Sequence, residues 1–108
     1  MAYALKNARV KPTAATLTTI YTVPGATTTV VSSIVATNLS ATPTTFRIAV
    51  QPLGAAIDDS HYLYYDVVIP GNDTFVFTGG ITLIATDVIS VYATLATLSF
   101  NLFFQEIT

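Results

Sequence analysis

His61 to Gly80, HYLYYDVVIPGNDTFVFTGG, is the stretch whose reading decides the fold: two aromatic-rich, alternating runs on either side of Pro70-Gly71-Asn72-Asp73. Side chains alternate across a strand with period two, so Leu63, Tyr65, Val67 and Ile69 are expected on one face, toward the core. Tyr62, Tyr64, Asp66 and Val68 are then expected on the other. Proline presets φ and the residues after it favour a tight turn, which predicts that Pro70–Asp73 reverses the chain into a second strand, Thr74 to Thr78. Gly79-Gly80 reverses it again.

The same pattern extends in both directions. Upstream, Leu17–Val23 reads as a strand closed by Pro24-Gly25, where glycine is expected to take the positive φ of a type II turn. Thr28–Asn38 has apolar residues on both faces, as a strand central to a sheet requires. Thr44–Gln51 alternates strictly and puts Phe46, Ile48 and Val50 in the core. Pro52–Ser60 reads as an exposed loop. Downstream, Ile81–Ala85 and Asp87–Leu95 are short strands, and Leu98–Ile107 turns Leu98, Phe100, Leu102 and Phe104 inward with Ser99, Asn101, Phe103 and Gln105 outward. No stretch repeats apolar residues at helical spacing. About eight short strands separated by turn signals predict a single-domain, all-β, antiparallel β-sandwich of jelly-roll type over residues 13–108, preceded by an N-terminal arm, residues 1–12.

Composition restricts function. The chain has 108 residues, 9% of them charged, with a net charge of −2. Nucleic-acid binding needs a basic field that this chain lacks. With no cysteine there is no disulfide, thiolate or Cys-ligated zinc to consider. Val88–Phe104 carries no charge, but its period of two suits strands and not a membrane-spanning helix. Nineteen threonines coat a chain that is 52% hydrophobic, giving a polar surface that is inexpensive to desolvate. Such a surface belongs in an assembly. The opening residues have no continuous apolar segment of the secretory type, so synthesis and accumulation in the cytoplasm are expected.

Candidate chemistry is sparse. Asp58, Asp59 and His61 form a D-D-x-H cluster that lacks the spacing of a metal motif, and no metal or other cofactor is expected. Asp66, Asp73 and Asp87 have no second titratable group at a fixed spacing to make an acid/base pair, and Asp73 and Asp87 are better read as turn residues that bond backbone amides. A Ser-His-Asp triad would have to use the one histidine, with no elbow motif to select its serine. No enzymatic activity and no small-molecule substrate are expected. Tyr62, Tyr64, Phe75 and Phe77 would form an aromatic strip able to stack on sugar rings if they were exposed; cross-strand core pairing is the competing assignment. Tyr62 and Tyr64, opposite the inward face of their strand, are candidates for a protein interface, and Lys6, Arg9 and Lys11 on the arm are expected to dock onto an acidic neighbouring subunit.

Four segments in order carry a family resemblance: IYTVPG through VVSSIVATN within Ile20–Asn38, TTFRIAVQPLGAA at Thr44–Ala56, YLYYDVVIPGNDTFV at Tyr62–Val76, and ATDVISVYATLATLSFNLF at Ala85–Phe103. Together they resemble small structural proteins of tailed bacteriophages. The resemblance implies a virion component, most simply a capsid decoration or cement protein on the outside of the shell, bound to the major capsid protein and working as a homotrimer, with Lys6, Arg9 and Lys11 docking onto the shell and Tyr62, Tyr64 and Phe103 between protomers. A tail or baseplate part is the alternative within the same particle. A glycan-binding receptor-recognition module is the alternative of another class. The resemblance assigns no catalytic residue.

Overall fold

A computed structural model describes all of residues 1–108. It contains nine strands: β1 (Tyr3–Val10), β2 (Thr18–Thr22), β3 (Thr28–Asn38), β4 (Thr44–Gln51), β5 (Tyr62–Ile69), β6 (Thr74–Phe77), β7 (Ile81–Leu83), β8 (Val88–Ala93) and β9 (Leu98–Ile107). The only helical pieces are two 3-10 turns, Pro52–Gly54 and Asp59–His61. One sheet has the order β1-β9-β3-β6, with β7 also pairing β3; the other has the order β2-β8-β4-β5. All pairings are antiparallel.

The pairs β1–β9, β2–β8, β3–β6/β7 and β4–β5 are the rungs of one long ribbon, folded at Pro52–His61 and rolled into two stacked sheets. This is a jelly roll, as the sequence predicts. The additional strand is β1. Residues expected as a free arm instead pair with β9 in continuous register from Tyr3↔Ile107 to Val10↔Phe100. The reason is the alternation of YALKNARV: Ala8 and Val10 pack against the core, and β9 has a free side that needs backbone partners.

The core lies between the sheets and has Phe46 at its centre. Its ring packs 4.9 Å from Phe75 and 6.3 Å from both Tyr64 and Phe100, joining both sheets in one aromatic cluster. The inward residues of β9 are Leu98, Phe100, Leu102 and Phe104, as expected. Phe46 and Ile48 on β4, and Ile89, Val91 and Ala93 on β8, are likewise buried.

The opening stretch is corrected in two ways. Its two strands do not form a hairpin: β5 pairs with β4 in one sheet and β6 with β3 in the other, so Pro70–Asp73 is a corner between layers. Asn38 fixes the corner. Its buried side chain donates to the carbonyls of Thr42 (2.9 Å) and Pro70 (3.2 Å) and accepts from Ser40 N–H (3.1 Å). The left-handed residue of the corner is Asn72 (φ 55°), not Gly71; in the earlier turn it is Ala26 (φ 54°), not Gly25.

The phase of β5 also departs from simple alternation. Phe46 pairs with Val67 but Ile48 pairs with Tyr64, and Ala49 then pairs with Tyr62. Two bulges therefore fall within one strand, and Asp66 takes φ 51°. Each extra residue shifts the alternation. Tyr64 turns inward, whereas Leu63 and Tyr65, expected in the core, are 46% and 55% exposed. Val67 and Ile69 keep their inward positions.

Candidate interaction surface

The sandwich has two flanks. At one, β1 lies beside β2; at the other, β5 lies over β6, as the contacts of Tyr64 with Phe75 (5.0 Å) and Phe77 (5.9 Å) show. The predicted docking residues Lys6, Arg9 and Lys11 all fall on or just after β1 and share the first flank. They are not equivalent. The Lys6 ammonium forms a 2.8 Å ion pair with Glu106, whose side chain is almost wholly buried. Arg9 donates to Asn7 Oδ1 at 2.9 Å, and neither Arg9 nor Lys11 has an ion-pair partner.

Glu106 is the hub of a polar network that sequence reading missed. Tyr21 on β2 donates its phenolic proton to Glu106 Oε2 at 2.6 Å and lies 2.8 Å from the Thr29 hydroxyl on β3. Its ring stacks 4.2 Å from Phe104. Burial, with the Glu106 carboxylate accepting its proton, pushes the Tyr21 hydroxyl up to about 12. Hydrogen bonds from Lys6 and Tyr21 hold the Glu106 carboxyl below its usual range. The signal in sequence was a lone glutamate in the otherwise uncharged run LSFNLFFQEI, at an inward position of the alternation.

On the other side of the molecule, the β5 bulges bring Tyr65 and Asp66 opposite Arg47 of β4. Arg47 Nε donates to Asp66 Oδ1 at 2.7 Å, and the guanidinium lies between the rings of Tyr65 (4.1 Å) and Tyr92 (4.2 Å). Tyr62 packs edge-on to Tyr65 at 4.9 Å. The hydrogen bond to Asp66 raises the proton affinity of the guanidinium, so it stays charged at every relevant pH. Tyrosine and arginine gathered in this way around an exposed Tyr65 have the composition of interface anchors.

The three predicted protomer contacts are not brought together. Tyr62 belongs to the Arg47 cluster. Tyr64 turns toward the core between Phe46, Phe75 and Phe77 and is half-buried. Phe103 is 40% exposed on the outer face of the other sheet, where it lines a shallow groove with Leu5 and Val30. All four rings of the strip Tyr62-Tyr64-Phe75-Phe77 are half-buried, and Tyr64 pairs edge-on with Phe75 and Phe77. The outward rings are Tyr62, Tyr65 and Tyr92.

The remaining candidates are occupied locally. Asp58 accepts from Ser60 N–H (3.0 Å) and Ser60 Oγ–H (2.6 Å), which lowers its proton affinity, while its own N–H donates to His61 Nδ1 at 3.1 Å. A serine, a histidine and an aspartate thus share one turn, but the serine proton faces the acid and not the imidazole that a triad would require. The arrangement is a capping box for the turn entering β5. Asp87 accepts from the N–H groups of Leu53 (2.8 Å) and Ile84 (2.9 Å), and Asp73 from that of Thr74 (2.8 Å), so both serve backbone amides. No three metal-ligating side chains converge.

No protein-family model matches the chain, and no curated protein matches it significantly. Function is therefore argued from the surface itself.

Proposed function

We propose that the protein is a virion structural protein that coats a phage shell and stabilises it by surface complementarity, as a capsid decoration protein. One observation carries the reading: large apolar side chains remain exposed on both sheets and both flanks, among them Leu5, Val30, Phe103, Leu63, Tyr65, Val68 and Val76. A stable monomer would cover such positions with charge. Here β9, β3, β6 and β7 offer no charge on their outer face, which carries Ser99, Asn101, Phe103 and Gln105 on β9, Val30 and Val35 on β3, Val76 on β6 and Thr82 on β7. Polar but uncharged side chains are displaced from water at little cost when a partner covers them.

A rigid β-sandwich with such faces strengthens a shell without chemistry. Joined as a cyclic homo-oligomer, several modest footprints hold neighbouring shell subunits with an avidity that one footprint lacks.

The test is quantitative mass spectrometry of purified particles with localisation in a density map. The expected result is the chain on the capsid exterior in a stoichiometry comparable to that of the shell subunit. A handful of copies confined to the tail would replace this reading with the tail or baseplate one.

A further inference from the structure

We infer that copies of this chain associate head to tail, the β1 flank of one protomer seated against the β5 flank of the next. The inference rests on the assembly reading and names the partner surface, a second copy of the same chain.

Charge is scarce in this protein but sorted. Of the four basic residues, Lys6, Arg9 and Lys11 lie along the β1 flank. Of the six acidic residues, Asp58 and Asp59 immediately precede β5, Asp66 lies within it, and Asp73 sits in the corner that follows it. The two acidic residues outside this group are engaged elsewhere: Glu106 is buried against Lys6 and Tyr21, and Asp87 caps two loops. With Lys6 paired to Glu106 and Asp66 paired to Arg47, the charges left unpaired are Arg9 and Lys11 on the β1 flank and Asp58, Asp59 and Asp73 around β5, so one flank is net basic and the opposite flank net acidic. Like flanks repel, which disfavours a twofold contact of β1 with β1. Unlike flanks attract, which selects the heterologous one.

The β1 edge also has unmet hydrogen-bonding capacity. Ala2 and Thr108 exchange both backbone hydrogen bonds (3.0 and 2.9 Å). By alternation along an antiparallel ladder, Ala4, Lys6, Ala8 and Val10 then face β9, and Tyr3, Leu5, Asn7 and Arg9 turn their N–H and C=O groups to the free edge. The other flank edges are broken up. β2 carries a register shift, β5 two, and the far side of the first sheet is divided between the four residues of β6 and the three of β7. Only β1 presents a long, regular edge, and natural proteins cover such edges; the irregular β5 flank would cover it by side-chain packing and not by a continued ladder. Its exposed Leu5 and Tyr3 find apolar and aromatic counterparts in Leu63, Tyr62 and Tyr65 on the acidic flank. A heterologous contact that closes generates a ring.

The test is charge reversal read by the solution mass of the purified protein. Wild type is expected at a multiple of 11.5 kDa, with dissociation promoted by salt. Arg9→Glu with Lys11→Glu is expected to weaken association at least about tenfold, as is Asp59→Lys with Asp73→Lys. The chain carrying all four changes is expected to recover it. Circular dichroism melting of each variant confirms that it is folded, so that loss of mass reports association alone. A monomeric wild type at micromolar concentration would overturn the inference, as would failure of the fourfold variant to recover. Basic-flank variants that keep their mass but lose particle binding would also overturn it, because they would put the shell, and not a second copy, against β1. Loss of the decoration reading itself would appear differently, as a self-associating protein missing from the capsid surface.

Discussion

Gly71 shows how one position can decide a corner. Its φ is unexceptional, but a Cβ placed there would overlap the carbonyl of Ala41, because the corner closes against the Asn38–Thr42 turn. The requirement is for close backbone approach, not for a left-handed conformation. Gly71→Val is expected to destabilise the fold by about 2–3 kcal/mol or more, as overpacking against backbone does. Asp59→Ala and His61→Ala, in an exposed turn, are expected to cost no more than about 1 kcal/mol. Urea unfolding midpoints of the three variants test the order, and a Gly71→Val midpoint equal to that of His61→Ala would contradict the corner geometry.

Strand β5 illustrates how an edge element trades regularity for a specific surface. Its bulges break the pairing that another chain would need, and they also rotate Tyr65 and Asp66 onto Arg47. Asp66 at φ 51° is strained, and with the Arg47 side chain 21% and the Asp66 side chain 45% exposed their ion pair contributes little by itself. Asp66→Gly relieves the backbone while deleting the pair, so a change within about 1 kcal/mol is expected. Asp66→Val keeps the strain and loses the pair, and should cost about 2 kcal/mol. Thermal unfolding of both variants checks the ranking. Equal losses would mean that the pair, and not the backbone, dominates at this position.

The assembled sandwich depends on a tie between its layers. Tyr21 on one sheet reaches Glu106 and Thr29 on the other, and the titration of this network links stability to pH. The Glu106 carboxyl is held below its usual range in the folded state. Its contribution is therefore complete above the unfolded pKa and is lost as pH falls through the folded one. Tyr21 behaves oppositely. Between its ordinary value of 10.0 and about 12 the unfolded chain has lost the phenolic proton and the folded chain retains it, so stability falls as pH rises across that window. Urea unfolding at neutral, acidic and strongly alkaline pH should show both losses. Tyr21→Phe should abolish its own part of the alkaline loss while lowering neutral stability by about 1–2 kcal/mol, because Glu106 is left with one partner fewer. The β1–β9 ladder, joining residues at opposite ends of the sequence, also means that truncating residues 1–12 removes a strand and bares β9. Point reversals at Arg9 and Lys11 are the cleaner probe of that flank.

The amino-acid sequence determined what local physics controls. Period-two alternation located the strands of the sandwich and the inward face of β9, and the turn residues marked nearly every chain reversal. Scarcity of charge identified a protein whose surface suits burial. Asp73 and Asp87 were legible as servants of backbone amides because aspartate beside a turn has that geometry available locally. The tertiary structure decided what depends on distant partners. β1 is a strand only because β9, nearly a hundred residues later, leaves an edge open to it. The phase of β5 inverts at bulges in its pairing with β4, which carry Tyr64 inward and Tyr65 outward against the simple alternation. Pro70–Asp73 is a corner and not a hairpin because β5 and β6 find their partners in different layers, held there by the buried amide of Asn38. The sorting of basic and acidic side chains onto opposite flanks exists only once the ribbon is rolled, since chain order alone does not place β1 and β5 at opposite sides of one sandwich.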